Sequence, residues 1–231
     1  MTTSPSRSRV TLKLATSLDG RIATAAGESR WITGPAARAM VHQQRAAHDA
    51  VLIGIGTALA DDPELTARTE PAPSKQPLRV VLDRHSRLPV ASKLAKSVGL
   101  GPVVALSTGD WPQSAPLDGS GVERLLVKPA QGEDEIAAAL RALAQAHGVE
   151  RVYVEGGGQV AGAFLRAGLV DRIEWFRAPI LLGEEGRPAV GPLALAALAD
   201  APRFVRVAAS AIGPDLWERY EREHATPAGK S

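Results

Sequence analysis

The chain has 231 residues, 45% of them hydrophobic and only 4% aromatic, with 27 Lys and Arg against 25 Asp and Glu for a formal net charge of +2. That length suits one large α/β domain around an aliphatic core, and a near-balanced charge with no basic stripe argues against nucleic acid while leaving scattered arginines for a phosphorylated small molecule. There is no cysteine, which excludes disulfides, a thiolate nucleophile, iron–sulfur clusters and cysteine-ligated zinc.

Residues 1–8 are polar and read as a disordered lead-in without the apolar segment of a signal peptide. No run approaches the roughly 20 apolar residues that span a bilayer, so a cytoplasmic protein is expected. "VTLKLATSL" (10–18) alternates as a strand and "DGR" (19–21) as a turn. A helix follows over 33–48, with Thr33 as its cap and Pro35 in the first turn. "AVLIGIG" (50–56) is a continuous apolar run suited to a strand buried on both faces. The Pro-rich 69–77 is a surface loop. Short strands are expected at 78–83, 102–107 and 121–129, then a helix over 132–147, a strand at 151–155 and a helix over about 158–168. "RIEWFRAPIL" (172–181) reads as a longer strand, and the stretch from Arg203 to Arg222 as an antiparallel hairpin turning near Gly213 and Pro214. Strand and helix alternate until the end, which predicts an α/β fold: a mostly parallel mixed sheet with helices on both faces and an antiparallel C-terminal edge. One domain over 9–222, with a flexible tail over 223–231, is the expected division.

"VEGGGQVAGA" (154–163) is where a buried strand gives way to a helix. A helix N-terminus offers unpaired N–H groups and partial positive charge, and Gly156, Gly157 and Gly158 would let a phosphate approach. The stretch is not the G-x-G-x-x-G dinucleotide fingerprint, so a tight turn for helix–sheet packing is the competing reading. Glu155 ends the strand at the carboxyl edge of the sheet, where open α/β sheets place ligands; it could accept hydrogen bonds from sugar hydroxyls.

Two more polar clusters lie at strand ends. Residues 13–34 gather Lys13, Ser17, Asp19, Ser29, Trp31 and Thr33, with Trp31 in a Gly/Ser-rich loop where it would serve as a lid or stacking residue. Lys13 interrupts an apolar strand, either as a snorkelling edge residue or as a substrate contact. "GTALADDPELTAR" (56–68) offers Thr57, Asp61, Asp62 and Arg68; Arg68 suits a bidentate phosphate contact, and the five scattered histidines give no metal-ligand spacing. With no P-loop and no G-x-S-x-G nucleophile, these binding groups suit an enzyme whose cofactor carries the chemistry.

The stretches "KLATSLDGRIA", "GESRWITG", "ALADDPELTAR" and "YVEGGGQVAGAFLRAGLVDRIEWFRAPILLG", in that order, resemble the reductase domain of the bifunctional riboflavin-biosynthesis deaminase/reductase over nearly all of residues 10–220. The resemblance implies a three-layer dihydrofolate reductase-like fold. It also implies NADPH-dependent reduction of 5-amino-6-(5-phosphoribosylamino)uracil to its ribitylamino counterpart, with hydride delivered to ribose C1′. By motif, Ala15, Trp31, Thr57, Asp61 and the run Gly157, Gly158, Gln159, Val160, Ala161, Gly162 and Ala163 correspond to NADP contacts. Lys13, Ser29, Thr33, Arg45, Leu65, Arg68 and Glu155 correspond to substrate contacts, with the basic ones near its phosphate. Asp61 and Glu155 would assist a reaction that has no protein nucleophile and no metal. Arg84 and Ser86, after "VVLD", are candidates for reading the cofactor's 2′-phosphate. The family's zinc deaminase signature, H-x-E with P-C-x-x-C, needs cysteine, so these 231 residues would not deaminate. A stand-alone reductase of the undeaminated diaminopyrimidinone or of a pteridine such as dihydrofolate, and a non-catalytic nucleotide binder, are the alternatives. A homodimer, built on the apolar strand at 172–181, is the expected assembly.

Overall fold

β-branched and leucine-rich runs bounded by Gly and Pro become strands because such side chains pack on a pleated surface. In the computed structural model, which describes residues 7–30, 32–109 and 117–223, these runs form one nine-stranded sheet. The strands are β1 (Arg9–Thr16), β3 (Ala50–Gly54), β4 (Leu78–Leu82), β5 (Val103–Ser107), β6 (Glu123–Leu126), β7 (Arg151–Val154), β8 (Arg172–Arg177), β10 (Phe204–Ile212) and β11 (Asp215–Arg222). Two short segments, β2 (Arg21–Ala23) and β9 (Arg187–Pro188), pair separately. The helices are α1 (Pro35–Ala46), α2 (Ile55–Asp61), α3 (Lys93–Lys96), α4 (Glu135–His147) and α5 (Gly158–Arg166). Among the described residues, no helix is long and apolar enough to cross a membrane.

Across the sheet the order is β10-β11-β8-β1-β7-β3-β4-β5-β6. All pairs are parallel from β8 to β6, and β10, β11 and β8 pair antiparallel. The expected mixed, mostly parallel sheet with an antiparallel C-terminal edge is therefore observed. Alternation sends Leu12, Leu52, Val80 and Val154 to one face, under α4 and α5. Val51, Ile53, Val81 and Tyr153 go to the other, beneath α2, α3 and Val41 of α1. Each fully buried Leu or Ile in these layers stabilises the fold by about 1.5–3 kcal/mol.

Several expected boundaries shift, for local reasons. The run 50–56 is a strand only to Gly54, whose extended backbone caps α2; the Thr-Ala-Leu-Ala that follows favours helix. α1 begins at Pro35 with Gly34 as its cap, so the Thr33 side chain does not cap; the Thr33 carbonyl instead accepts from Arg38 Nη1 at 2.7 Å. The helix expected from 132 starts at Glu135, because Asp134 accepts from the Ile136 and Ala137 N–H groups. β8 ends at Arg177 rather than 181, since Pro179 has no N–H for the ladder. The ordered chain also starts before residue 9: buried Ser8 donates to the Val149 carbonyl at 2.7 Å and Arg7 pairs with Asp171. The remaining lead-in and tail expectations, for residues 1–6 and 224–231, lie outside the described residues.

Candidate active site

The chain leaves β3 and β7, which are neighbours, toward opposite faces of the sheet. α2 follows β3 on one face and α5 follows β7 on the other. Such a divergence opens a crevice at the carboxyl ends of the two strands, the usual ligand position in open α/β sheets. Across it, the Gly157 N–H donates to Thr57 Oγ1 at 3.0 Å. The next three N–H groups, of Gly158, Gln159 and Val160, make no hydrogen bond among the described residues. Together with the helix dipole they suit an anion.

The glycines themselves turn out to serve protein packing as well. A Cβ on Gly158 would collide with the Pro188 carbonyl, and Gly158 O accepts from Gly191 N at 2.7 Å. Cβ atoms on Gly54 or Gly156 would come within 2.6 Å of the Val160 side chain. Gly162 is backed by the Gly191 backbone, and Ala161 is a core residue whose N–H bonds the Gly157 carbonyl. Ala161 and Gly162 are buried against the core and the Gly191 backbone, Gln159 is exposed and Ala163 half-buried.

Glu155 is the hub of the charged part of the site. Only 7% of its side chain is exposed, and it takes Arg45 Nε at 2.5 Å and Nη2 at 3.0 Å, one on each oxygen. Lys13 Nζ lies 4.0 Å away. Burial alone would raise the Glu155 carboxyl, but Arg45, Lys13 and His42 hold it below its ordinary value. Burial pulls the Lys13 ammonium down, against the opposing pull of Glu155, with Arg45 adding to the depression. Arg45 stays charged: burial opposes it, and Glu155 more than compensates. Lys13 cannot be a snorkelling edge residue, because β1 lies inside the sheet between β8 and β7. Ala15 shares its face, two positions nearer the crevice.

α1 contributes Arg38, His42 and Arg45 at spacings of four and three, one helical face. Opposite lies the segment 62–68, pinned at many points. Asp62 accepts from Lys93 N at 2.8 Å, Arg79 Nη1 donates to Glu64 O at 3.0 Å, and Arg45 Nη1 donates to Thr66 O at 3.0 Å. Gln76 bonds both the Ala67 N–H and carbonyl. Within this clamp Leu65 is buried in a left-handed backbone, φ +60°, a conformation that costs a branched residue about 1–2 kcal/mol and persists because its neighbours are fixed. Arg68 follows, largely exposed and directed at His42. Ser29 donates to Asp61 Oδ1 at 3.3 Å, joining the 24–34 loop to the end of α2. Trp31 lies outside the described residues.

Farther along the same sheet edge, a cleft of about 250 Å³ opens after β4 and β5. Arg84, His85 and Arg87 line it with Leu82, Ile55 and Thr108. Asp83 shapes its wall by accepting from the Arg87 and Leu88 N–H groups. Arg84 lines the cleft and pairs with Glu135, whereas Ser86 is buried at φ +52°.

His42 and Arg79 were not singled out from the sequence. His42 was recoverable from its i, i+3 spacing to Arg45; Arg79, in "LRVVL", reads as an ordinary strand interruption, yet it is fully buried and bonds the carbonyls of Glu64, Ser97 and Gly101.

Residues 8–217 match the family model of the RibD C-terminal domain, and the chain belongs to that family. A riboflavin biosynthesis protein RibD from Bacillus amyloliquefaciens is 36% identical over 210 residues, covering 90% of this chain and 55% of the relative. Among solved structures, Acinetobacter baumannii RibD superposes with a TM-score of 0.81 at 33% identity, over 95% of this chain and 59% of that one. A Thermotoga maritima diaminohydroxyphosphoribosylaminopyrimidine deaminase/5-amino-6-(5-phosphoribosylamino)uracil reductase superposes at 0.77 with 28% identity, over 94% of this chain and 57% of that one. The chain thus spans little more than half the length of these relatives.

Proposed function

We propose that this RibD C-terminal domain reduces 5-amino-6-(5-phosphoribosylamino)uracil to its ribitylamino product, using NADPH. The observation that carries the reading is two anion-binding features meeting at one crevice. One is the first turn of α5, with its unpaired N–H groups; the other, beginning at Glu155 three residues earlier, is the Lys13, Arg45 and Arg68 cluster. A dinucleotide's diphosphate suits the first, and a substrate phosphomonoester the second. The named reaction of the Thermotoga maritima relative supports the same pairing.

A nicotinamide dinucleotide would be held in two places. Gly158, Gln159 and Val160 would hold the diphosphate, Thr57 fixes the turn that presents them, and the Arg84 cleft would take the adenosine end with its 2′-phosphate. When bound, NADPH supplies the hydride that reaches ribose C1′ as the sugar ring opens. The protein supplies orientation and charge. Glu155 holds Arg45 and Lys13 in place and keeps unused lone pairs for a ribose hydroxyl. Lys13, held 4.0 Å from Glu155 on the crevice-facing side of β1, adds a positive charge toward the substrate's phosphate. Asp61, held by Ser29, orients the ribose or nicotinamide.

For a homodimer, β8 is already paired on both sides, so the strand at 172–177 has no free edge. At the antiparallel end of the sheet the edge strand is β10, with Val205 51% and Val207 53% exposed, and size-exclusion chromatography of a Val205→Glu, Val207→Glu protein tests whether two copies meet there. The activity is tested by NADPH consumption with the ribosylaminouracil phosphate, its diaminopyrimidinone precursor and dihydrofolate in parallel. Turnover confined to the first supports the proposal. Preference for either of the others reassigns the substrate, and binding without turnover makes the chain a nucleotide-binding protein.

A further inference from the structure

His42 faces two donors from one residue. Its Nδ1 lies 3.2 Å from the Arg68 main-chain nitrogen and its Nε2 lies 3.2 Å from Arg68 Nη2. A neutral imidazole has a single acceptor nitrogen. With the proton on Nε2, the ring accepts the main-chain N–H but turns an N–H toward the guanidinium. With the proton on Nδ1, the neighbouring Thr66 carbonyl can take it, but the Arg68 main-chain N–H then loses the one acceptor it has among the described residues. Protonating the ring removes both acceptors, and it is disfavoured: burial, then Arg45 and Arg68, hold His42 below the ordinary imidazole value, against weaker opposing pulls from Thr66 and Glu155.

The guanidinium is free to resolve this conflict by moving. The Arg68 side chain is 62% exposed, and its contact with Glu64 is a 3.5 Å pair one helical turn apart in sequence, an arrangement worth about 0–1 kcal/mol at a surface. The ring itself is half-buried on the cationic face of α1, beside Arg45.

We propose that His42 is a direct ligand of the substrate's phosphate. An anionic phosphate monoester draws the Arg68 guanidinium away from Nε2. The ring settles with its proton on Nε2, which donates to a phosphate oxygen, while Nδ1 keeps the Arg68 main-chain N–H. One terminal oxygen takes the imidazole and the others remain for the arginine fork, so both donors of Arg68 and the ring are satisfied at once. The inference rests on the reading of the substrate as a phosphorylated ribosylaminopyrimidine, and it adds a recognition residue to it.

Two measurements test the proposal, one of them independent of turnover. In the whole chain labelled with nitrogen-15, inorganic phosphate should move the His42 ring nitrogens to the pattern of a pure Nε2–H tautomer; a ring unresponsive to phosphate overturns the proposal even in an enzyme inactive on every substrate. In turnover, His42→Leu should raise KM for the phosphorylated substrate about tenfold, the equivalent of one lost charge-assisted hydrogen bond, with kcat and the KM for NADPH unchanged. His42→Gln, which keeps a donor at one end and an acceptor at the other, should stay within about threefold of the wild type. The phosphate-free substrate should not distinguish the variants. Equal losses on both substrates, or no loss for His42→Leu, refute the role.

Discussion

Replacing Glu155 by glutamine keeps the size of the hub and removes its charge. In the native site both carboxylate oxygens take a guanidinium donor, with 12% of Arg45 and 7% of Glu155 exposed at the side chain. Removing one partner from a buried pair costs about 3–5 kcal/mol because the other charge is left uncompensated. Glutamine retains one acceptor, and the Thr66 carbonyl still holds Arg45 Nη1, which lowers the expected loss to about 3 kcal/mol. For a chain of this size that is a drop in Tm of roughly 6–12 °C. Urea unfolding should show a lower midpoint with an unchanged slope. A double-mutant cycle with Arg45→Gln should return a coupling above about 1.5 kcal/mol. The Glu155 carboxyl sits below its ordinary 4.5 in the folded protein, so its stabilisation is complete above that value and is lost as pH falls through the depressed one. The gap between wild type and Glu155→Gln should therefore close on acidification. A coupling below about 0.5 kcal/mol, or a gap that widens in acid, would refute the hub argument.

Gly158→Ala should destabilise by about 1–3 kcal/mol through overpacking against the Pro188 carbonyl. Gly162→Ala, whose nearest atoms would lie at 3.2 Å, should cost less in the same thermal melts. Thr57→Val leaves the Gly157 N–H without its acceptor; about 1–2 kcal/mol of stability should go, with a raised KM for NADPH and little change for the pyrimidine. Asp19 accepts from Ser17 and from the Leu182 and Gly183 N–H groups, which lower its carboxyl from 3.8 to about 2. Protection of those two amides from hydrogen exchange should accordingly be full above pH 3.8 and disappear only as pH falls toward 2; protection lost at higher pH would show that the carboxylate does not hold this loop.

Much of the architecture follows from sequence alone because its signals are local. Apolar runs such as "LRVVL" and "VVALS" have the length and composition of buried strands, and Gly213 and Pro214 mark the hairpin turn. The ordered motifs likewise group Lys13, Arg45 and Glu155, whose side chains form one ion-paired cluster. Charge pairing is different, since it depends on which faces meet. That Glu155 binds Arg45 110 positions away, and that Lys13 lies in the middle of the sheet, follows from the return of β7 between β1 and β3. The same crossover sends α2 and α5 to opposite faces and so opens the crevice. The glycines show the divide at one turn. In sequence the three glycines mark the strand-to-helix junction and admit either a phosphate seat or a tight packing turn. Only the tertiary structure decided how the turn is used by the fold: Pro188, Gly191 and Val160 fill the space beside it, and the Gly158, Gln159 and Val160 N–H groups are left without a partner among the described residues.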